Sequence, residues 1–176
     1  MKTKLILLIT IMTNTAYAQT AFKAERVQKS ASFVVNTTVE NAFPLFGPIR
    51  EKEWTAGWEP QIIYSVSPEV EEHMIFKTSG KHYGEDEFLW VLSQYKPKDY
   101  FVEYTVSTPQ RIWFISVLCR PKGKSTSVTV TYSFTGLTAQ GNELNRRALD
   151  NMYTNNLKDW EEAINYYLST GKRKED

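Results

Sequence analysis

The stretch that decides the fold is residues 125–170, STSVTVTYSFTGLTAQGNELNRRALDNMYTNNLKDWEEAINYYLST. Its first half alternates strictly: Ser125, Ser127, Thr129, Thr131, Ser133 and Thr135 fall between Val128, Val130, Tyr132 and Phe134. A period of two with small hydroxyls on one side and apolar groups on the other is a β-strand with one wet and one buried face. After Gly136 the period changes. Leu144, Ala148, Met152, Asn156, Trp160, Ile164 and Leu168 recur about every four residues, flanked by Leu149, Tyr153, Leu157 and Tyr167 and opposed by Arg146, Arg147, Asp150, Lys158, Asp159 and Glu162. The spacing predicts one amphipathic helix from about Asn142 to Ser169, roughly 28 residues and about 40 Å long, able to cross a whole sheet. Gly171 is its expected stop, and residues 172–176 a solvated tail.

Working upstream, residues 61–137 read as strands divided by turn chemistry. Pro68-Glu69, Ser79-Gly80, Pro97-Lys98-Asp99, Thr108-Pro109 and Pro121-Lys122-Gly123 separate Ile62–Val66, Met74–Thr78, Phe88–Tyr95, Tyr100–Val106, Ile112–Arg120 and Thr126–Phe134. Six strands on tight connections make an antiparallel meander. Ile112 to Cys119 is apolar on both faces, so it is expected to be covered on both sides or to join a subunit contact such as a homodimer. A seventh strand, ending near Asn36, comes first, with Val27, Ala31, Phe33 and Val35 as its apolar positions. Two short helices follow it, one opening at Thr38 and carrying Val39, Phe43 and Phe46, the other spanning Glu51 to Trp54.

Composition narrows the function classes. The chain has 176 residues with 21 basic and 20 acidic side chains, a formal charge of +1, which supplies no electrostatic footprint for nucleic acid or an anionic membrane. Aromatic residues make up 14%, which anticipates a large apolar interior or pocket. Residues 1–18 read as a signal peptide: Lys2 and Lys4, the apolar run Leu5–Met12, then Ala16-Tyr17-Ala18 as a cleavage site. The apolar run is too short to span a bilayer, so a periplasmic or secreted location is expected without stable membrane insertion. The single cysteine, Cys119, excludes an intramolecular disulfide, and its apolar strand predicts a buried, inert thiol.

The order of one strand, two small helices, six antiparallel strands and a C-terminal helix resembles the helix-grip fold of the START-like (SRPBCC) superfamily, which includes Bet v 1-type, lipid-transfer and polyketide-cyclase proteins. More narrowly, Ala42-Phe43-Pro44-Leu45-Phe46, Pro48, Glu51, Trp54, Gly57-Trp58-Glu59-Pro60, Phe76, Trp90, Tyr104 and the run Val130–Leu137 ending at Gly141-Asn142 resemble bacterial exported members. The resemblance covers nearly all of residues 23–171 and implies an α+β domain, residues 19–171, in which a curved antiparallel sheet of about seven strands wraps around the long C-terminal helix. It also implies a cavity between sheet and helix for a hydrophobic small molecule or lipid.

The expected ligand-binding residues are Trp54, Trp58, Phe76, Trp90, Tyr104, Tyr153, Asn156 and Trp160, apolar walls with Tyr and Asn tips to orient a ligand. Plain core packing is the competing reading of the same rings. The function expected is carriage of a hydrophobic or amphipathic ligand; the alternatives are a cyclase- or isomerase-like enzyme using a pocket carboxylate or tyrosine, and an interaction module. Glu51 is the candidate acid of the enzyme reading, because a carboxyl buried against indoles has a raised pKa. A structural hydrogen bond or ion pair for Glu51 and a solvated Glu53 are the plainer expectation. No catalytic residue and no cofactor are assigned. His73, His82, Glu85, Asp86 and Glu87 are the only metal-like group, without a compact His pair, and no metal is expected. A phosphate loop and a Gly-x-Ser-x-Gly elbow are absent from the sequence.

Overall fold

The computed structural model describes residues 21–81 and 84–174. The expected signal peptide and His82 lie outside the described residues. Seven strands, β1 Arg26–Val35, β2 Gln61–Tyr64, β3 Ile75–Ser79, β4 Glu87–Lys96, β5 Phe101–Ser107, β6 Arg111–Lys122 and β7 Ser125–Gly136, form one antiparallel sheet. The order is β1-β7-β6-β5-β4-β3-β2, so the meander runs unbroken from β2 to β7 and β1 returns to pair with β7. The alternation of β7 fixes its register: Phe33 faces Val128 across β1, while Val117 faces Val130 and Trp113 faces Phe134 across β6. A one-residue slip would turn every Val outward. In β4 the pairing shifts between Leu92 and Gln94, and the displaced Ser93 hydroxyl donates to the Glu103 carbonyl at 3.0 Å. Such bulges bend a strand and add twist, which helps the sheet curve around its contents.

The helical segment after β1 consists of α1, Val39–Ala42, continuing into a 3-10 turn at Phe43–Phe46, then a second 3-10 turn at Glu51–Glu53. Val39, Ala42, Phe43, Leu45 and Phe46 are all buried, so this segment plugs one end of the sheet.

The C-terminal helix departs from the single rod read in the sequence. It is two helices, α2 Ala139–Met152 and α3 Lys158–Thr170, with Asn156 and Leu157 both at positive φ (54° and 58°) between them. Helical periodicity survives such a break, because the turn returns Leu157 to the core while the chain changes direction. Asn156 is corrected accordingly: it is exposed in the turn and lines no interior surface. Asparagine tolerates the left-handed region better than most residues, which suits it to this role.

The start of α2 is pinned to the sheet. Thr138 caps it, its hydroxyl accepting from the Gly141 N–H at 3.0 Å. A Cβ on Gly141 would lie 1.8 Å from the Gln110 carbonyl oxygen, so only glycine permits this approach of helix to β6. The inward face of α2 is Gly141, Asn142, Asn145 and Leu149, shifted by one position from the Leu144 and Ala148 stripe expected. In β6 the inner face is Arg111, Trp113, Ile115, Val117 and Cys119, while Ile112, Phe114 and Leu118 on the outer face are half-buried. The most exposed apolar run is instead β2 and its exit, Ile62, Ile63, Tyr64 and Val66.

Candidate functional site

The rings expected to line a cavity converge, and they occupy the interior themselves. Phe76 stacks on Trp90 with centroids 5.4 Å apart, Trp58 meets Trp90 edge-on at 5.2 Å, and Tyr104 stands against both Phe76 and Trp90 at 6.2 and 5.9 Å. Trp54 meets Trp160 of α3 edge-on at 5.4 Å and Phe46 at 6.2 Å. Tyr153 belongs to a second array, Tyr153–Tyr132–Phe134–Trp113–Phe88, with successive centroids 5.2 to 6.1 Å apart. Seven of the eight expected residues therefore share one core, from which Asn156 is excluded.

Their polar tips are already used. Trp54 Nε1 donates to the Leu45 carbonyl at 2.8 Å, Trp58 Nε1 to the Pro48 carbonyl at 2.7 Å, and Trp90 Nε1 to Thr78 Oγ1 at 3.0 Å. The Tyr104 hydroxyl donates to the Phe46 carbonyl at 2.7 Å, and that of Tyr153 to Lys29 O at 3.0 Å. The Tyr104 bond ties the short-helix segment to the sheet and the Tyr153 bond ties the end of α2 to β1, while the Trp54 and Trp58 bonds close residues 45–58 on themselves and the Trp90 bond joins β4 to β3. Each of these tyrosine and indole tips, on residues expected to bind a ligand, thus has a partner within the fold.

What stays uncompensated inside is a different set of groups. The Glu51 carboxyl makes no hydrogen bond or ion pair with a described residue, and burial pushes its pKa up to about 8. Tyr104 lies near enough to feel its charge: its hydroxyl is held well above the ordinary phenol value first by burial and then by Glu51. The plainer expectation for the two glutamates is thus inverted. Glu53 takes the ion pair, its carboxylate receiving Arg50 Nε at 3.1 Å and Nη2 at 2.8 Å and the Tyr167 hydroxyl at 2.6 Å. The Arg50 hydrogen bond is the main reason its pKa is lowered. With Arg50 committed to Glu53, nothing neutralises Glu51, and its carboxyl is protonated at neutral pH.

Thr55, Arg111 and Asn145, none singled out in the sequence, also carry such groups, the Thr55 hydroxyl being buried without a partner. Arg111 Nη1 and both polar atoms of the Asn145 amide are buried without a partner. Inward polar residues on an apolar face were the available signal, visible only once the register and helix phase were known. Cys119 is buried, its thiol pushed up to about 12 mainly by desolvation, as an inert core residue should be. Glu85 of the metal-like group is committed to Arg111 and Thr108, and Glu87 to Lys77.

Open concavities occur outside this interior. One of about 320 Å³ lies beside Thr37, Asn41, Arg50 and Tyr167, and one of about 520 Å³ along the outer side of α3 near Lys158 and Glu162.

No protein-family model matches the sequence, and no curated protein sequence matches it. Solved structures do match in shape. The structure of Ara h 8.0201 superposes with a TM-score of 0.61 at 9% identity, covering 83% of this chain and 99% of that one. This is the helix-grip fold. The helix-grip norcoclaurine synthase from Thalictrum flavum, solved in complex with dopamine and hydroxybenzaldehyde, superposes with a TM-score of 0.61 at 14% identity over 98% of this chain and all of its own. DynU16, a protein of the dynemicin biosynthetic locus, gives 0.51 at 17% identity over 85% of this chain and 48% of its own. At these identities the likeness establishes the helix-grip fold alone, an open curved sheet with a C-terminal helical cover.

Proposed function

We propose that this protein is an exported carrier that holds a hydrophobic or amphipathic small molecule between the sheet and the C-terminal helices. The observation that carries the reading is the seating of α3 over the aromatic interior: only Ile164 of its thirteen residues is buried, while Trp160, Ala163, Tyr167 and Leu168 are partly exposed against the core. A cover held by so little apolar surface, and joined to α2 through a turn, can lift without dismantling the sheet. Beneath it lie rings whose faces offer the same stacking to a guest as to one another. A protein of the same fold, norcoclaurine synthase, was solved with two small aromatic molecules, which supports the class of guest. Native mass spectrometry of protein purified from the medium or periplasm of an exporting host tests this. The expected result is a bound apolar mass of a few hundred daltons, on the order of a pocket-sized ligand, released by organic extraction. Mass equal to the bare chain in every preparation overturns it.

Glu51 favours a second reading, an acid-catalysed cyclisation or isomerisation. A carboxylic acid that keeps its proton up to about pH 8, withdrawn from water and near Tyr104, can donate that proton to a carbonyl or enol oxygen of a guest. Turnover of such a guest that is lost in Glu51→Gln while binding persists distinguishes catalysis from carriage.

A further inference from the structure

The geometry points to a specific recognition site for a neutral polar head group at the end of the interior where β6, β7 and α2 meet. It rests on the carrier reading and adds the chemistry of the guest. Arg111 opens β6 opposite Gly136, with its side chain 3% exposed. Its guanidinium lies over Trp113 at 4.8 Å, Phe134 at 5.6 Å and Phe88 at 5.9 Å from the ring centroids, an aromatic cage on three sides. Asn145 is 1% exposed and one helical turn beyond Gly141, the residue packed against Gln110 next to Arg111 in the chain. The pinned start of α2 therefore brings Asn145 to the same end of the same sheet face.

The hydrogen-bond inventory defines what fits. Arg111 Nε and Nη2 both donate to Glu85 Oε2, at 3.0 and 2.5 Å, and the Thr108 hydroxyl donates to Glu85 Oε1 at 2.7 Å. The Glu85 side chain is 6% exposed, nearly as buried as its partner's, so the pair is electrically closed. Left over are two N–H donors on Arg111 Nη1, and on Asn145 one acceptor and a two-proton donor. Leaving such groups unmet in a low-dielectric interior is costly, so a guest that meets them gains selectivity as well as affinity. The complement is a carbonyl oxygen for Arg111 adjoining an N–H or O–H for the Asn145 oxygen, on a flat apolar body that packs against the rings of Trp113 and Phe134, whose faces are already set against each other, Phe88 and Tyr132. A carboxylate is disfavoured, because it would place a second anion on a cation already neutralised by Glu85. The ligand class is a neutral aromatic amide or hydroxy-carbonyl compound rather than a fatty-acid anion.

Isothermal titration of the whole protein with 2-naphthamide, 2-naphthoate and naphthalene provides the test. Naphthamide should bind at least tenfold tighter than either of the others, and Asn145→Leu should reduce it to the level of naphthalene. Naphthoate binding as tightly as the amide, or an unchanged affinity in a folded Asn145→Leu variant, overturns the inference. Should that variant fail to fold, the ranking of the three probes on the unaltered protein still decides. If none binds but native mass spectrometry shows a guest, this site is wrong and carriage stands; if neither shows a guest, both fall.

Discussion

At the scale of single residues, Glu51 governs how stability depends on pH. An ordinary carboxyl titrates near 4.5 and this one near 8, so the unfolded chain releases a proton that the folded protein retains. Between those values stability falls as pH rises, and above about 8 the penalty is complete. Glu51→Gln removes the titration. Its stability relative to the unaltered protein should improve steadily from pH 5 to pH 8, by on the order of a few kcal/mol in total. Urea denaturation of both proteins at pH 5, 6.5 and 8 measures it, and a gap that does not move with pH would show that the carboxyl is solvated. Glu53, two residues further on but paired with Arg50 and Tyr167, supplies the contrast: two glutamates in one turn take opposite electrostatic fates according to which reaches the arginine.

At the scale of elements, the interruption between α2 and α3 is the feature sequence periodicity did not reveal. The four-residue recurrence runs through residues 144–168 because a turn with two left-handed residues restores the apolar phase at Leu157. No glycine or proline marks the break, and Asn155-Asn156 was its only chemical trace. The strands were legible almost to the residue, since alternation and turn residues act locally. The site was legible only in part. Trp54, Trp58, Phe76, Trp90 and Tyr104 were identifiable as interior by residue type, but the partner that each polar tip chooses depends on tertiary approach. Asn156 carries its backbone strain with modest help from its side chain, so Asn156→Gly should raise stability by a few tenths to about 1 kcal/mol. A loss exceeding that in a chemical melt would mean that the side chain itself holds the turn.

At the scale of the molecule, the sheet has two unlike edges. β1 is long, and its outer face is laced to β7 by hydroxyl pairs, Ser30 with Thr131 at 2.7 Å and Ser32 with Thr129 at 2.8 Å. β2 is four residues long, uncharged and exposed throughout. An edge of that kind invites strand pairing between copies. The homodimer anticipated through Ile112–Cys119 would more naturally use β2, because the apolar groups of β6 are already sheltered by their neighbours. Ile63, 56% exposed, is the position to charge. Ile63→Lys should change stability by no more than about 0.5 kcal/mol while suppressing any self-association seen by sedimentation as concentration rises. Association that persists unchanged places the contact elsewhere.

The edge-on contact of Trp54 with Trp160 spans the boundary between the plug after β1 and α3, the proposed cover, whereas the contact of Trp58 with Trp90 involves no residue of α3. Two indoles at 5.4 Å with their planes 62° apart couple their electronic transitions, and such coupling gives paired circular-dichroism bands of opposite sign. Lifting α3 separates one pair of chromophores and leaves the other intact. The molecule thus carries its own optical gauge of whether the cover is shut, readable without a label and independent of what lies inside.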